Sequence, residues 1–326
     1  MYKIIKENDL DCNYKDKLKD VSFEPIFIMG LHRSGTSILY KMLNETGNFS
    51  ILTSYHVLNY DQLIYNHINK IENKKKEELN NLFLSKGITT RKTDNVKVNA
   101  DYAYEYMYIF SERKYKWKIT ENNNPLFVEL CKKLKYVSEN NKPILLKNPY
   151  DYANFLLIKK LHPYAKFVFI QRNPVHVISS TMNLWKTNLK SKNEYLAMHH
   201  EQYSKMYDNP LMRFGLRKYY LSRFPPGIFE VINRCAKGTD FYLNNINSLR
   251  KEDYVSIKYE DLCKNPNENI RKILDLLKLK SNIDFNEYIK PRKLNLSQEV
   301  KFLRKYIYKK MEHYFKHFNY EIEDCF

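Results

Sequence analysis

Four short apolar runs punctuate an otherwise polar chain, and each is bounded by turn or helix signals. They are Pro25-Ile26-Phe27-Ile28-Met29, Pro143-Ile144-Leu145-Leu146, Lys166-Phe167-Val168-Phe169-Ile170 and Tyr254-Val255-Ser256-Ile257. Runs of this length without polar alternation are the mark of strands covered on both faces. Helical spacing fills the segments between them, as at 125–137 and 152–160. The alternation predicts an α/β, three-layer fold of the P-loop kind, a central parallel sheet flanked by helices. Ligands of such sheets sit beyond the carboxyl ends of the strands. The residues that end the runs are therefore the ones to read for chemistry.

The first run passes directly into Gly30-Leu31-His32-Arg33-Ser34-Gly35-Thr36-Ser37 and then a helical pattern with Ile38, Leu39, Met42 and Leu43. The chain has only seven glycines, and two of them fall in this turn. Strand, glycine loop and helix start aim backbone N–H groups and the positive end of a helix at a phosphate-like anion. The spacing Gly30-x4-Gly35 is that of a P-loop. A nucleotide triphosphatase carries lysine where this chain has Thr36, and the loop's cation is Arg33 instead. Such a site is poorly equipped for a triphosphate and suits one compact anion.

The other run ends are equally pointed. Lys147 follows the second and begins Lys147-Asn148-Pro149. Arg172-Asn173-Pro174 closes the third, with Asn173 placed as an N-cap and Pro174 at the first helical position. Ser180 lies eight residues after Arg172, about two helical turns along, so a guanidinium fork and a hydroxyl can meet one phosphate. Lys258-Tyr259-Glu260-Asp261-Leu262 follows the fourth run.

Taken together, these motifs resemble the sulfotransferases that use 3′-phosphoadenosine 5′-phosphosulfate, in particular bacterial-type members related to tyrosylprotein and carbohydrate sulfotransferases. The resemblance runs from about residue 25 to 279. It implies that Arg33, Ser34, Gly35, Thr36 and Ser37 hold the 5′-phosphosulfate, that Arg172 and Ser180 bind the 3′-phosphate, and that Tyr259 contacts the adenine. Lys147 matches a lysine that contacts the sulfate being transferred, so Lys147 and Arg33 count among the catalytic residues. In related enzymes a glutamate lies some twenty residues past the loop. Here that stretch reads Thr53-Ser54-Tyr55-His56-Val57, with no carboxylate before Asp61, which leaves His56 as the local substitute for the general base, with a structural role for it as the alternative. His32 is expected to shape the loop. The donor nucleotide is the only cosubstrate implied, and no metal is required. The acceptor is a hydroxyl or an amine on an unidentified molecule.

Length and composition fit this picture. A chain of 326 residues that is 43% apolar can bury one large core. The expected organisation is an N-terminal extension at 1–20 and a catalytic domain at 21–326, including a helical insert at 60–140 and a docked C-terminal helix at 297–318. The charge-rich stretch 66–84, with Lys74-Lys75-Lys76-Glu77-Glu78, reads as a solvated helix. The formal charge of +18 is spread along the chain and forms no isolated stripe or nucleic-acid motif. It would draw in anionic small molecules, and nucleic acid is not expected as a partner. Five scattered cysteines make no disulfide framework. No apolar run has the length of a membrane span, nor does the N-terminus look like a signal peptide. A cytoplasmic location is the expectation. His313 and His317, four apart, lack the companions of a metal site, and His199 and His200 point in different directions.

Two other functions share parts of the pattern. A P-loop kinase or hydrolase would need the missing lysine and a strand ending in a magnesium-binding aspartate. A non-catalytic binder of 3′,5′-bisphosphonucleotides would need neither Lys147 nor His56. The acceptor pocket is expected from residues 55–110 and 182–229, where Tyr102, Tyr104, Tyr106 and Tyr108 either stack on rings or pack helices.

Overall fold

The computed structural model describes residues 9–91, 96–138, 140–289 and 296–322. Its sheet contains β1 (Pro25–Met29), β2 (Ser50–Ile51), β3 (Ile144–Lys147), β4 (Lys166–Gln171) and β5 (Tyr254–Lys258) in the order β2-β3-β1-β4-β5. Every pairing is parallel. The register sets Ile28 beside Lys147 of β3 and beside Val168 of β4. All five residues of β1 are buried.

Because side chains alternate across a strand, each run feeds two cores. Phe27, Met29, Ile144, Leu146, Phe167 and Phe169 face the larger one. Ile26, Ile28, Leu145, Val168 and Ile170 face a smaller one closed by Leu39, Tyr40, Met42 and Leu43 of the helix Thr36–Glu45. The expected α/β architecture with a parallel central sheet is the one found. From β1 the chain runs outward to β2, whereas from β4 it runs to the opposite edge at β5. The carboxyl ends of β1 and β4 thus flank a topological switch point, the place where such sheets form a ligand crevice.

Departures from the expected elements have local causes. β2 is two residues long, too short to leave a pattern, and it is fixed by pairing with Ile144 and Leu145. The stretch 66–84 is two helices, Leu63–Ile68 and Glu72–Ser85, separated at Lys70, whose φ is positive. The second of them is not wholly solvated, for Leu79 and Phe83 are buried. The C-terminal stretch likewise divides into Gln298–Lys310 and Glu312–Phe318, turning at the buried Met311. At the other end, the 3-10 helix Leu10–Leu18 buries Asp11, which pairs with the buried Lys133 at 3.0 Å. Lys133 also meets Glu129 at 3.1 Å and the Tyr60 carbonyl at 2.9 Å. Among the described residues no helix is long and apolar enough to cross a membrane.

Candidate active site

The loop after β1 is forced into shape by its glycines. A Cβ on Gly30 would lie 2.7 Å from the Ile170 carbonyl oxygen of β4. Gly35 sits at φ 106° as the N-cap of the Thr36–Glu45 helix, and a Cβ there would strike the Tyr259 ring at 2.3 Å. Between them Arg33 takes a left-handed φ of 74°, uncommon for a residue with a side chain. Its guanidinium reaches the helix Pro174–Lys190, where Nε donates to Ser180 Oγ at 3.1 Å.

Arg172 approaches the same loop from β4. Its Nη1 donates to the Arg33 carbonyl at 3.0 Å, and its guanidinium lies 4.1 Å from the Tyr259 ring centroid. Asn173 caps the helix Pro174–Lys190 by accepting from Val175 N, and its own N–H donates to Glu260. Burial raises the Glu260 pKa above the ordinary carboxylate value, and burial pushes that of Tyr259 up to about 12. The Tyr-Glu-Asp segment therefore buttresses the Arg172 turn: Tyr259 stacks on the guanidinium while Glu260 holds the helix start. Arg33, Ser34, Gly35, Arg172, Ser180 and Tyr259 form one continuous cluster at the β1–β4 crevice. In it, Ser34 Oγ and Arg172 Nε are buried without a hydrogen-bond partner.

On the β3 side, Lys147 is almost completely buried. Its ammonium donates to Ser37 Oγ at 2.8 Å and pairs with Glu105 at 2.6 Å. A lysine from the neighbouring strand thus reaches the loop that lacks one of its own. Glu105 arrives through an antiparallel bridge between Thr53 and Ala103, closed by Tyr104 N to Leu52 O and Ser54 N to Tyr102 O. The stretch after β2, which has no carboxylate itself, thereby lays one from residue 105 against Lys147. Asn148, next to the lysine, is pinned by donating to the Trp117 carbonyl and to Asp151. Asp151 also accepts from Tyr106 OH, Asn154 Nδ2 and Ile119 N. Burial nevertheless raises its pKa to about 6.

Residues 25–220 match the sequence pattern of a family described as the sulfotransferase family. The chain belongs to the sulfotransferase family. Among solved structures it is similar to sulfotransferase STF9 from Mycobacterium avium (TM-score 0.65, 12% identity, covering 96% of this chain and 81% of that one). It also resembles STF1 from Mycobacterium tuberculosis H37Rv (TM-score 0.55, 13% identity, 92% and 80% covered). At such identities these likenesses speak for the fold. No curated protein shows a significant match.

The remaining expected residues of this sulfotransferase lie as follows. Thr36 is buried at the first turn of its helix. His56 sits in a capping box: its Nδ1 accepts from Thr53 N at 3.1 Å, and its own N–H donates to Thr53 Oγ1. Burial, reinforced by Lys76, lowers its pKa to about 3. The charged groups acting on it are Lys76 and Asp101, not Lys147. His32 is part-buried in the loop, and desolvation with the charges of Arg33, Arg234 and Lys147 holds its pKa well below the usual value, so the ring is neutral. Tyr104 and Tyr106 are core residues, whereas Tyr102 and Tyr108 are half-buried beside Tyr195 and Tyr104. Trp117 makes edge contacts with Tyr150 at 5.0 Å and His200 at 4.6 Å. His313 and His317 are both exposed. Glu105 is the residue that reading by spacing missed. Its signal was a lone carboxylate in the aromatic stretch 102–110, where a solvated face would carry several.

Proposed function

We propose that this sulfotransferase moves the sulfuryl group of 3′-phosphoadenosine 5′-phosphosulfate to a hydroxyl or amine by in-line displacement, with Glu105 as the general base. The observation that carries this reading is the chain of contacts Ser37–Lys147–Glu105 at the mouth of the loop. It places a cation and a proton acceptor side by side, next to the helix start that would receive an anion.

The donor suits the residues present. Ser34 Oγ and Arg172 Nε are buried polar groups without a partner, which is costly unless a ligand satisfies them. The loop amides, Arg33 and Ser37 are assigned to the 5′ end of the nucleotide, Arg172 and Ser180 to the 3′-phosphate, and Tyr259 to the adenine side. When bound, the nucleotide supplies an activated sulfuryl group. The protein's tasks are then to hold two reactants in line and to stabilise developing negative charge. Lys147 and Arg33 supply charge to the oxygen left on the departing phosphate. Glu105 takes the proton of the attacking hydroxyl as its oxygen bonds to sulfur. His56 is assigned a structural task, because its Nδ1 is spent on the cap.

The contacts also weigh against the two competitors. A nucleotide kinase or hydrolase would use the Ser37 hydroxyl for magnesium, yet that oxygen here accepts from the Lys147 ammonium. A mere nucleotide binder has no use for a buried Lys147 paired with Glu105, since burying a charged group is a poor source of stability. The direct test is transfer of radiolabelled sulfate from the donor to panels of glycans, phenols and lipids. Labelled product formed by the wild type and not by Glu105→Gln supports the reading. Nucleotide binding without transfer to any acceptor would favour the binder.

A further inference from the structure

We infer that the surface formed by the 209–229 segment and the helix Gln298–Lys310 docks onto an anionic lipid bilayer. It uses none of the residues of the nucleotide cluster and does not depend on the reaction assigned there. Phe302 is 76% exposed, Phe224 67% and Phe229 46%. They do not stand singly: Phe224 meets Phe302 with ring centroids 6.2 Å apart, and Phe229 meets the exposed Tyr306 at 5.9 Å. Exposed apolar side chains in contiguous patches mark interaction sites, unlike scattered ones.

The charge around the patch selects the occupant. No Asp or Glu occurs between Asp208 and Glu230, or between Glu299 and Glu312. Those two stretches hold Arg213, Arg217, Lys218 and Arg223 in one and Lys301, Arg304, Lys305, Lys309 and Lys310 in the other. Phe302, Lys305, Tyr306 and Lys309 follow the i, i+3, i+4, i+7 spacing of one helix face. Aromatic side chains interleaved with lysines on one face suit the boundary between lipid headgroups and acyl chains. A second copy of this chain is a poor occupant, because a two-fold contact would press the same lysine- and arginine-rich stretches against each other. Nucleic acid would satisfy the cations but leaves unexplained the aliphatic exposure of the same segment, where Leu211 is 83% exposed.

The base beneath the patch is closely packed. Tyr220 stacks on Trp185 at 4.3 Å and donates to Glu230, and Gly227 packs so tightly on Tyr220 that a Cβ would lie 2.4 Å from the ring. The helix Gly227–Asn245 begins at this surface and carries Gly238 against Leu31 of the nucleotide loop. From Phe229 to Gly238 is about 14 Å along the axis.

Co-sedimentation with vesicles tests the inference. The full chain should bind phosphatidylglycerol–phosphatidylcholine vesicles and not pure phosphatidylcholine, with affinity falling as salt rises. Lys305→Glu with Lys309→Glu should weaken binding by at least about tenfold, and Phe224→Ser with Phe302→Ser should also release the protein. Both pairs of sites are exposed, so thermal melting and nucleotide affinity should stay at wild-type values. Equal binding to both vesicle types, or unchanged binding by both variants, would overturn the inference. So would preferential binding to a single-stranded oligonucleotide that competes with the vesicles, or a dimer in light scattering that the Phe224→Ser, Phe302→Ser variant dissolves.

Discussion

The two halves of this site, the one proposed to hold the nucleotide and the one proposed to face the acceptor, are built in opposite ways. Around Arg33, Arg172 and Tyr259 each functional residue lies within a few positions of the strand that delivers it, and the loop's backbone conformation follows from Gly30 and Gly35. Across the crevice, Lys147 comes from β3, its partner Glu105 from a segment bridged to Thr53, and the aromatic edge from Trp117, Tyr150 and His200. The first half is a property of local chain geometry, whereas the second exists only once distant segments meet.

Substitutions should divide along this line. Glu105→Gln, which keeps shape and removes the proton acceptor, should lower kcat by about 100- to 10,000-fold and leave nucleotide affinity near wild type; steady-state transfer with calorimetry checks both. Lys147→Ala should cost about 100- to 1,000-fold in turnover. It also leaves the part-buried Glu105 without its cation, so the melting temperature should drop; the Lys147→Ala, Glu105→Gln double variant should recover much of that stability without recovering activity. Arg172→Ala acts on the other half, with nucleotide affinity falling about 10- to 150-fold, the worth of one or two charged hydrogen bonds.

Smaller effects sharpen the contrast. His56→Ala should remove half of a capping box, at a cost of about 1 kcal/mol, with turnover staying close to wild type. A loss as large as that of Glu105→Gln would return the base to His56. Asp151, which holds Asn148 beside Lys147, sets a pH signature on the β3 side. Its folded pKa of about 6 lies above the ordinary carboxylate value. Its contribution to stability is therefore present in full at low pH, below about 4, and is lost as pH rises through about 6. Over that window this group should reduce stability by up to about 1.4 kcal/mol per pH unit. Denaturant unfolding of the wild type against Asp151→Asn at several pH values measures it.

The same division explains what could be read from the chain. β1, β3 and β4 announce themselves because burial on both faces demands unbroken apolar runs. The edge strand β5 buries only Ile257 and is legible from its β-branched residues, and the loop is legible because glycine is otherwise scarce. The cluster of Arg33, Arg172, Ser180 and Tyr259 follows from residues placed at strand ends. β2 escaped notice because two residues carry no period. The approach of Glu105 to Lys147 is not legible because it depends on pairing between residues 53 and 103, fifty apart, whereas distance along the chain from the loop points to His56. The break at Met311 was hidden for a related reason: both halves of the C-terminal stretch keep helical spacing, and the turn is set by what Met311, Tyr314 and Phe315 pack against.

The central claim is that the β1–β4 crevice grips an adenosine nucleotide by two anions, one in the loop and one at Arg172. Calorimetry without magnesium, comparing 3′-phosphoadenosine 5′-phosphate with adenosine 5′-monophosphate, isolates the second grip. The account predicts that the bisphosphate binds at least about tenfold more tightly, and that Arg172→Ala closes the gap. Equal affinity for the two nucleotides in the wild type would contradict it.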